Sequence, residues 1–235
     1  MSEPYWVAMA SAPVDYQGVY DPAVAYAQGA VVLYNGVTYI AVNPSTGQTP
    51  PTSGNLGGVP LVTSLPGSPN DGDEIILTDS LSAGTYQWRL KYVAARTTNK
   101  WVCVGSTPLL AENVIGDTTA SATYVALGAG PSLTVPLAGD YFVTASALIS
   151  NSAGASGNAS GFMGYDVGAT AAADADAAVG YIGGSVNIYS VATRVARKTG
   201  LAASTVLASK YKVTGTNTML VQARRLLLEP IAVGG

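Results

Sequence analysis

Short runs of alternating apolar and polar residues, closed by glycine, proline or asparagine, extend along most of the chain. The run 85–93 shows the pattern best, because Tyr86, Trp88, Leu90 and Tyr92 alternate with mostly polar side chains. Period-two alternation is typical of a β-strand with one buried face and one solvated face. The 27 glycines and 13 prolines among the 235 residues supply the turns between such strands. The sequence therefore predicts an all-β protein.

The clearest hairpin signal lies near the N-terminus. The apolar runs 30–34 and 37–42 are separated by Asn35-Gly36. A type I′ turn needs positive φ at both central positions, and Asn and Gly adopt positive φ more readily than other residues. We therefore predict a two-residue hairpin here, within a small β-module that spans residues 1–62.

Apolar runs of strand length continue through residues 111–235. They are 121–127, 132–137, 140–149, 161–167, 185–191, 204–208 and 218–228. This number and spacing of strands favours an antiparallel β-sandwich of the jelly-roll type. The Ala-rich stretch 170–179 is the helix candidate, although its flanking glycines fit a loop equally well.

The last predicted strand ends in three consecutive apolar residues, Leu226, Leu227 and Leu228. Successive strand residues point to opposite faces, so both faces of this strand should be covered. The domain's own core would cover one face. A neighbouring subunit is the candidate for the other, which makes these three leucines candidate subunit contacts.

Charged residues make up only 11% of the chain, and the net charge is −3. Within residues 111–235 all seven bases lie at or beyond Arg194, whereas six of the seven acids precede it. Ion pairs must therefore join segments that are distant in sequence; the alternative is a basic face for anionic surface glycans. A net negative charge does not favour nucleic-acid binding, and no apolar run reaches the ~18 residues of a membrane span. We expect neither nucleic acid nor membrane insertion.

Histidine is absent from the chain, and Cys103 is the single cysteine. These counts exclude the Ser-His-Asp triad, the Cys-His dyad, the usual zinc ligand sets and an internal disulfide, and they fit assembly in a reducing cytoplasm. Two acidic clusters, 71–74 and 174–176, match neither the spacing of a calcium loop nor a marked pair of glycosidase carboxylates. We expect no enzymatic activity, no metal and no cofactor.

The segment 20–50 carries a set of spaced motifs: Tyr26-Ala-Gln-Gly29, Tyr34-Asn35-Gly36, Tyr39-Ile-Ala41 and Thr46-Gly47-Gln-Thr-Pro50. It resembles the small β-module of carbohydrate-binding families 5 and 12, copies of which are common in bacteriophage tail and fibre proteins. The resemblance implies sugar stacking on exposed aromatics, which it places at Tyr20, with Tyr34 and Tyr39 as further candidates. The second aromatic position of the family falls on Asn43 and Pro44, so a compact spacer with core tyrosines is the alternative.

Residues 63–110 contain Leu65-Pro66-Gly-Ser-Pro69-Asn-Asp71-Gly72, then Trp88-Arg-Leu-Lys-Tyr92, then Lys100-Trp101-Val-Cys-Val-Gly105-Ser-Thr-Pro108-Leu109. This series is similar to a module that recurs in phage minor tail and fibre proteins. The resemblance implies a small β-module in a virion. It carries no known chemistry.

Residues 111–235 resemble, more loosely, the jelly-roll-like head domains that end phage fibre and appendage proteins. The similar positions are Tyr124-Val-Ala-Leu127, Gly139-Asp-Tyr141 and Gln222-Ala-Arg224-Arg-Leu226. The resemblance implies a homotrimer in which apolar strand faces meet on the axis.

Together these observations predict a non-enzymatic virion protein: a short trimeric fibre, spike or appendage, bound to tail or baseplate proteins and aiding adsorption by contact with a host surface glycan. The first alternative is a capsid decoration or head-fibre protein bound to the major capsid protein. An accessory protein of a polysaccharide-active enzyme is a further alternative.

Overall fold

The structure is a computed structural model that describes residues 6–8, 16–34, 37–41, 44–47, 49–50, 59–152, 159–183 and 188–234. Within these ranges the chain forms nineteen β-strands and one 3₁₀ turn, which confirms the predicted all-β class. In chain order the strands are β1 (Trp6–Ala8), β2 (Tyr16–Val19), β3 (Ala25–Tyr26), β4 (Val31–Tyr34), β5 (Val37–Ala41), β6 (Ser45–Thr46), β7 (Leu61–Val62), β8 (Glu74–Thr78), β9 (Gln87–Tyr92), β10 (Trp101–Ser106), β11 (Leu109–Asn113), β12 (Asp117–Thr119), β13 (Ser132–Thr134), β14 (Gly139–Asn151), β15 (Ala159–Val167), β16 (Ala178–Ile182), β17 (Ser190–Leu201), β18 (Val206–Val213) and β19 (Met219–Val233).

The chain divides into two compact units, Met1–Tyr92 and Val93–Gly235. The finer division into 1–62, 63–110 and 111–235 stays a prediction.

In the first unit the strands pair in the order β1-β5-β4-β2, and β3 pairs with β6. β4 and β5 are antiparallel, with Tyr34 opposite Val37. This register leaves two residues for the connection, as the hairpin prediction requires. Asn35 and Gly36 themselves lie outside the described residues, so the type I′ turn stays a prediction.

The later part of the first unit is built from β7, β8 and β9. β8 is antiparallel to β9, with Leu77 opposite Trp88. Trp88 and Leu90 are fully buried, whereas Arg89 between them is exposed and forms an ion pair with Glu74, Nη2 to Oε2 2.7 Å. The alternation predicted for 85–93 is thereby confirmed.

The second unit is a sandwich of two antiparallel sheets. In one sheet β14 lies between β17 and β19, and the far side of β19 pairs with β10, β11 and β12 in turn. The other sheet has the order β13-β18-β15-β16. From β13 onward the chain alternates between sheets, except that β15 and β16 are neighbours in one sheet. This strand order is that of a jelly roll, as the sequence predicted.

The two sheets approach each other closely at Gly161 in β15 and Gly180 in β16. A Cβ atom at Gly161 would lie 2.6 Å from Ile149 Cγ2, and one at Gly180 would lie 2.9 Å from Ile149 Cβ. Ile149 itself is fully buried on β14. Since these distances are shorter than any van der Waals contact, only glycine permits this spacing of the sheets.

A β-bulge interrupts β19 at Ala223. Opposite β14, the register moves from Ser146–Arg225 to Leu148–Gln222, so β19 carries one extra residue there. Ala223 has φ +48°, the left-handed conformation typical of bulges. The bulge turns Arg224 to the buried side, although Val221, three residues earlier, is buried too.

The structure differs from the predicted strands in several places, among them the unpredicted β11, β12 and β16 and the extension of β18 to Val213. Residues 121–127 form a bend and one bridge, Val125 to Tyr211, because the Ser121 hydroxyl donates to the Thr123 carbonyl oxygen and competes with the ladder. β17 runs to Leu201, ten residues beyond the predicted end of 185–191, of which 185–187 lie outside the described residues. The helix candidate 170–179 contains a single 3₁₀ turn, Asp174–Asp176.

Candidate functional site

The three tyrosines that the resemblance nominates for sugar contact lie in or beside the core of the first unit. Tyr20 is 9% exposed and Tyr39 is 2% exposed, while Tyr34 is half-buried. The Tyr20 ring stacks on Tyr26 at 5.6 Å between centroids and meets the edge of Tyr34 at 5.5 Å. Burial also raises the pKa of the Tyr39 hydroxyl. The geometry fits the alternative of core tyrosines, because these ring faces are already covered.

An aromatic side chain that the sequence did not single out is exposed instead. Tyr16, in β2, is 54% exposed. The family motifs begin at Tyr20, so they gave no signal for it.

The three candidate subunit leucines are separated by the pleat of β19. Leu226 and Leu228 are fully buried in the core of their own unit. Leu227 points to the opposite side and is half-buried. A contact with a neighbouring subunit can therefore use Leu227 but not Leu226 or Leu228.

Leu227 belongs to a surface formed by the outward side chains of β17, β14, β19 and β11, which we call the outer face. Large apolar side chains are exposed on it: Val191 (77%), Val195 (54%) and Leu110 (54%), together with Phe142 (42%). Cross-strand register places Val195, Thr144, Leu227 and Leu110 in one row across the four strands. The sequence pattern nominated only Leu227 of this row.

A cluster of ion pairs surrounds loop 168–177. Lys212 Nζ lies 2.6 Å from Asp174 Oδ1, and it also lies 4.9 Å and 4.7 Å from the ring centroids of Tyr124 and Phe162. This lysine is thus held by a carboxylate and by two aromatic faces, which attract a cation.

Further contacts tie the same loop to β17. Lys198 forms an ion pair with Asp176, and Arg194 Nε donates to the Ala175 carbonyl oxygen at 3.1 Å. β17 and β18 belong to different sheets, so the loop is fastened to both layers of the sandwich. The two ion pairs, Lys198 with Asp176 and Lys212 with Asp174, join residues 22 and 38 positions apart, as the separation of charges along the sequence required.

The pKa shifts in this cluster reinforce the ordinary charge states at neutral pH. Burial, and after it the nearby carboxylate of Asp174, raises the pKa of the Tyr124 hydroxyl. The pKa of Asp174 is lowered, first by its hydrogen bond with Lys212. The tyrosine stays neutral and the carboxylate stays charged, so the cluster acts as a fixed electrostatic fastening.

Arg224 is a buried base that the sequence pattern had grouped with the surface bases. It is 1% exposed. Its Nη2 donates to the carbonyl oxygens of Ile115 (3.1 Å) and Gly128 (3.3 Å), and its guanidinium carbon lies 5.5 Å from the centroid of Tyr211. These contacts offset part of the cost of burying the charge. With Arg224 inside, the bases do not form one continuous basic face.

The acidic residues 71–74 are not gathered around a common point. Asp73 Oδ2 accepts from the Asn70 backbone N–H at 2.7 Å, while Glu74 pairs with Arg89 across the sheet. Among the described residues, no group of three or more acids or cysteines is arranged to hold a metal ion. Nor does that part of the chain contain a helix long and apolar enough to cross a membrane.

No protein-family model and no curated protein sequence matches the chain. Among solved structures, it is similar to the CBM22-1 xylan-binding domain of Xyn10C from Paenibacillus barcinonensis, with 13% identity over 71% of this chain and 100% of that one, at a TM-score of 0.29. It is also similar to a chain of Desmodium yellow mottle tymovirus, with 17% identity over 56% of this chain and 94% of that one, at a TM-score of 0.22. At these scores neither likeness bears on function, and the jelly-roll assignment rests on the strand order alone.

Proposed function

We propose that this protein is a non-enzymatic structural protein of a bacteriophage particle, where it forms a short homotrimeric appendage through its second unit. The observation that carries the proposal is the outer face, where large apolar side chains remain exposed. Exposed apolar patches on folded domains mark interaction surfaces. The resemblance of three segments to phage tail and fibre modules is the reason for proposing a bacteriophage particle.

The disposition of the acids supports a structural role over a catalytic one. Asp166, Asp174 and Asp176 are each in contact with a lysine of β17 or β18. Glycoside hydrolysis needs two carboxyl groups facing a shared substrate, one of them with a raised pKa. A carboxylate held by a lysine has the opposite tendency, as the lowered pKa of Asp174 illustrates.

The first unit has the role of attachment to the tail, the baseplate or the major capsid protein in this proposal. The packing of Tyr20 and Tyr39 in its core supports a compact docking module. Contact with a host glycan is the second candidate role, which the exposed ring of Tyr16 favours because an exposed aromatic plane can stack on a sugar.

Immunogold labelling of purified phage particles with an antibody against the chain tests this proposal. We expect a label at the tail, and a label over the capsid would select the decoration or head-fibre alternative instead. Particles that carry no label, although the chain is present in the infected lysate, would overturn a virion role. Titration of the full chain with chitin oligomers separates the two roles of the first unit: binding that Tyr16→Ala removes would favour host contact over docking.

A further inference from the structure

We infer that neighbouring copies of this chain meet through the outer face, with the symmetry axis running along β14, and that Arg197 of one copy pairs with Glu229 of the next. This inference rests on the proposed self-assembly and names the surface that would perform it. The partner that covers the outer face is a second copy of the chain.

The first step concerns β17, whose burial pattern is the reverse of that of an ordinary surface strand. It turns the small residues Ala192 and Ala196 to its own core and presents the larger Val191 and Val195 to solvent. Each exposed valine leaves an apolar side chain in water, which is less favourable than its burial. A strand that buries alanine and exposes valine is better explained by a second surface that covers the valines.

The second step concerns the rest of the face. Phe142 lies on the neighbouring strand β14 and is also exposed, and Leu110 is exposed on β11 beyond Leu227. Each of the four strands therefore presents at least one large apolar side chain on this face. Its width, at about 4.8 Å per strand interval, is roughly 14 Å, comparable with the core of a protein interface.

The third step is the placement of charge. Register puts Arg197, Phe142 and Glu229 in one row, with Phe142 in the middle. A positive and a negative side chain thus lie at the same height on opposite sides of β14. Glu229 makes no ion pair within the described part of the chain, so its charge is left for another partner.

Arg197 can also take a partner from another copy. One of its nitrogens, Nη2, lies 3.7 Å from Asp140 Oδ2, while its side chain is 59% exposed. Asp140 already accepts hydrogen bonds from the Gly200 backbone N–H (2.9 Å) and from Asn99 Nδ2 (3.0 Å). The guanidinium group has five N–H donors, and the weak contact with Asp140 leaves most of them available.

The fourth step is the symmetry. An axis parallel to β14 keeps every row at its own height, so the β17 side of one copy meets the β19 side of the next at the same level. Arg197 then faces Glu229, and Val195 faces Leu227. The alternative is an axis that lies in the sheet plane, perpendicular to the strands, and passes through the centre of the face. That axis would place the row of Arg197, Phe142 and Glu229 opposite the row of Leu148, so neither charge would have a partner. Charge complementarity therefore selects the axis along the strands.

The test measures the mass of the full-length chain by sedimentation velocity and light scattering at micromolar concentration. We expect a homotrimer for the natural chain. Val195→Glu should raise the chain concentration at which half of the trimer dissociates by about a hundredfold or more, because a charge would be buried in the contact. The matched control is Val179→Glu, which adds the same charge at an exposed valine of β16 in the opposite sheet and should leave the mass unchanged.

Charge reversal tests the pairing itself. Glu229→Arg alone should raise the chain concentration at which half of the trimer dissociates by about tenfold, since it places two arginines against each other in each contact. The double variant Arg197→Glu with Glu229→Arg should restore assembly, because the pair is rebuilt with its signs exchanged. Circular dichroism verifies that each variant is folded. Recovery of assembly in the double variant would also show that the loss in the single variant was not caused by misfolding.

The outcomes separate this inference from the proposed function. A trimer that Val195→Glu and Glu229→Arg both leave intact would overturn the outer-face contact while the structural role stands. A natural chain that is monomeric at 100 times the working concentration would overturn the assembly itself. Restoration by the double variant is the result that identifies Arg197 and Glu229 as partners across the contact.

Discussion

The two units of this chain differ in how their strands are used. Strands in the first unit are two to six residues long, and the core around β4 and β5 consists largely of tyrosine, alanine and valine. The second unit contains strands of up to 15 residues, which cross the whole sandwich. The first unit is recognised by its closely spaced sequence motifs, whereas the second is recognised by the order of its strands in the two sheets. A dense motif therefore says little about which of its side chains reach the surface.

The largest expected effect is on the first unit. Tyr20→Ala removes a ring that packs against Tyr26 and Tyr34, and we expect it to destabilise that unit by about 3–5 kcal/mol. Denaturant unfolding, followed by tyrosine and tryptophan fluorescence, measures the change. Tyr16→Ala is the matched control at an exposed tyrosine and should change stability by less than about 0.5 kcal/mol. Equal effects of the two substitutions would mean that Tyr20 is a surface residue after all.

The second effect is confined to the second unit. Gly161→Ala places a methyl group against Ile149 and should cost about 1–3 kcal/mol through overpacking. Gly67→Ala, at a glycine with open space around the added carbon, serves as the control. If thermal unfolding of the second unit is unchanged by Gly161→Ala, the close approach of its sheets is not a constraint.

A third substitution should stabilise the second unit. Ala223 adopts a positive φ that an alanine tolerates poorly, so Ala223→Gly should relieve about 1 kcal/mol of strain. Glycine also gives the unfolded chain more freedom, which offsets part of that gain. A midpoint of thermal unfolding that rises is the expected result, and a fall of several degrees would show that the bulge is not strained.

The smallest effect is a response to pH at loop 168–177. The pKa of Asp174 is lowered in the folded chain, so its ion pair with Lys212 contributes its full stabilisation at pH values above the ordinary aspartate pKa. It is lost as the pH falls through the lowered value, when the carboxylate takes up a proton and releases Lys212. We expect amide exchange in residues 172–177, after correction for the intrinsic pH dependence, to accelerate below about pH 4. Asp174→Asn should show the faster exchange already at pH 7, and an unchanged profile in that variant would contradict the role of the ion pair.

Sequence reasoning succeeded where one face of a strand is buried by its own unit and the other is solvated. β9 was predicted to within two residues of its observed bounds, because Trp88 and Leu90 alternate with polar neighbours. The jelly roll followed from strand number and spacing. Most of β17 was missed, because Ala192 and Ala196 are small and the larger residues on the strand face outward. No rule of amphipathic patterning identifies a strand whose larger side chains face away from its own core.

The candidate sites were harder to predict than the fold. A motif places Tyr20 in a family, but only packing shows that its ring is covered by Tyr26. The pleat separates Leu226 and Leu228 from Leu227, and only the packing shows which of these two faces is turned to the core. The relation between Arg197 and Glu229 depends on their shared neighbour Phe142 and is invisible in a linear chain.

The bulge at Ala223 has a consequence for how the gene can change length. Because the bulge holds one extra residue, deleting the Ala223 codon would restore the regular alternation and leave Val221 and Arg224 on the buried side. Deleting a codon elsewhere in β19 would instead turn every residue on one side of the deletion to the opposite face, so that a buried leucine such as Leu228 would exchange places with Leu227. Insertions and deletions should therefore be rejected within β19 except for the deletion of Ala223, whereas the exposed turn at Gly67 should accept them. A library of single-codon deletions, sorted by soluble expression, would map this boundary directly.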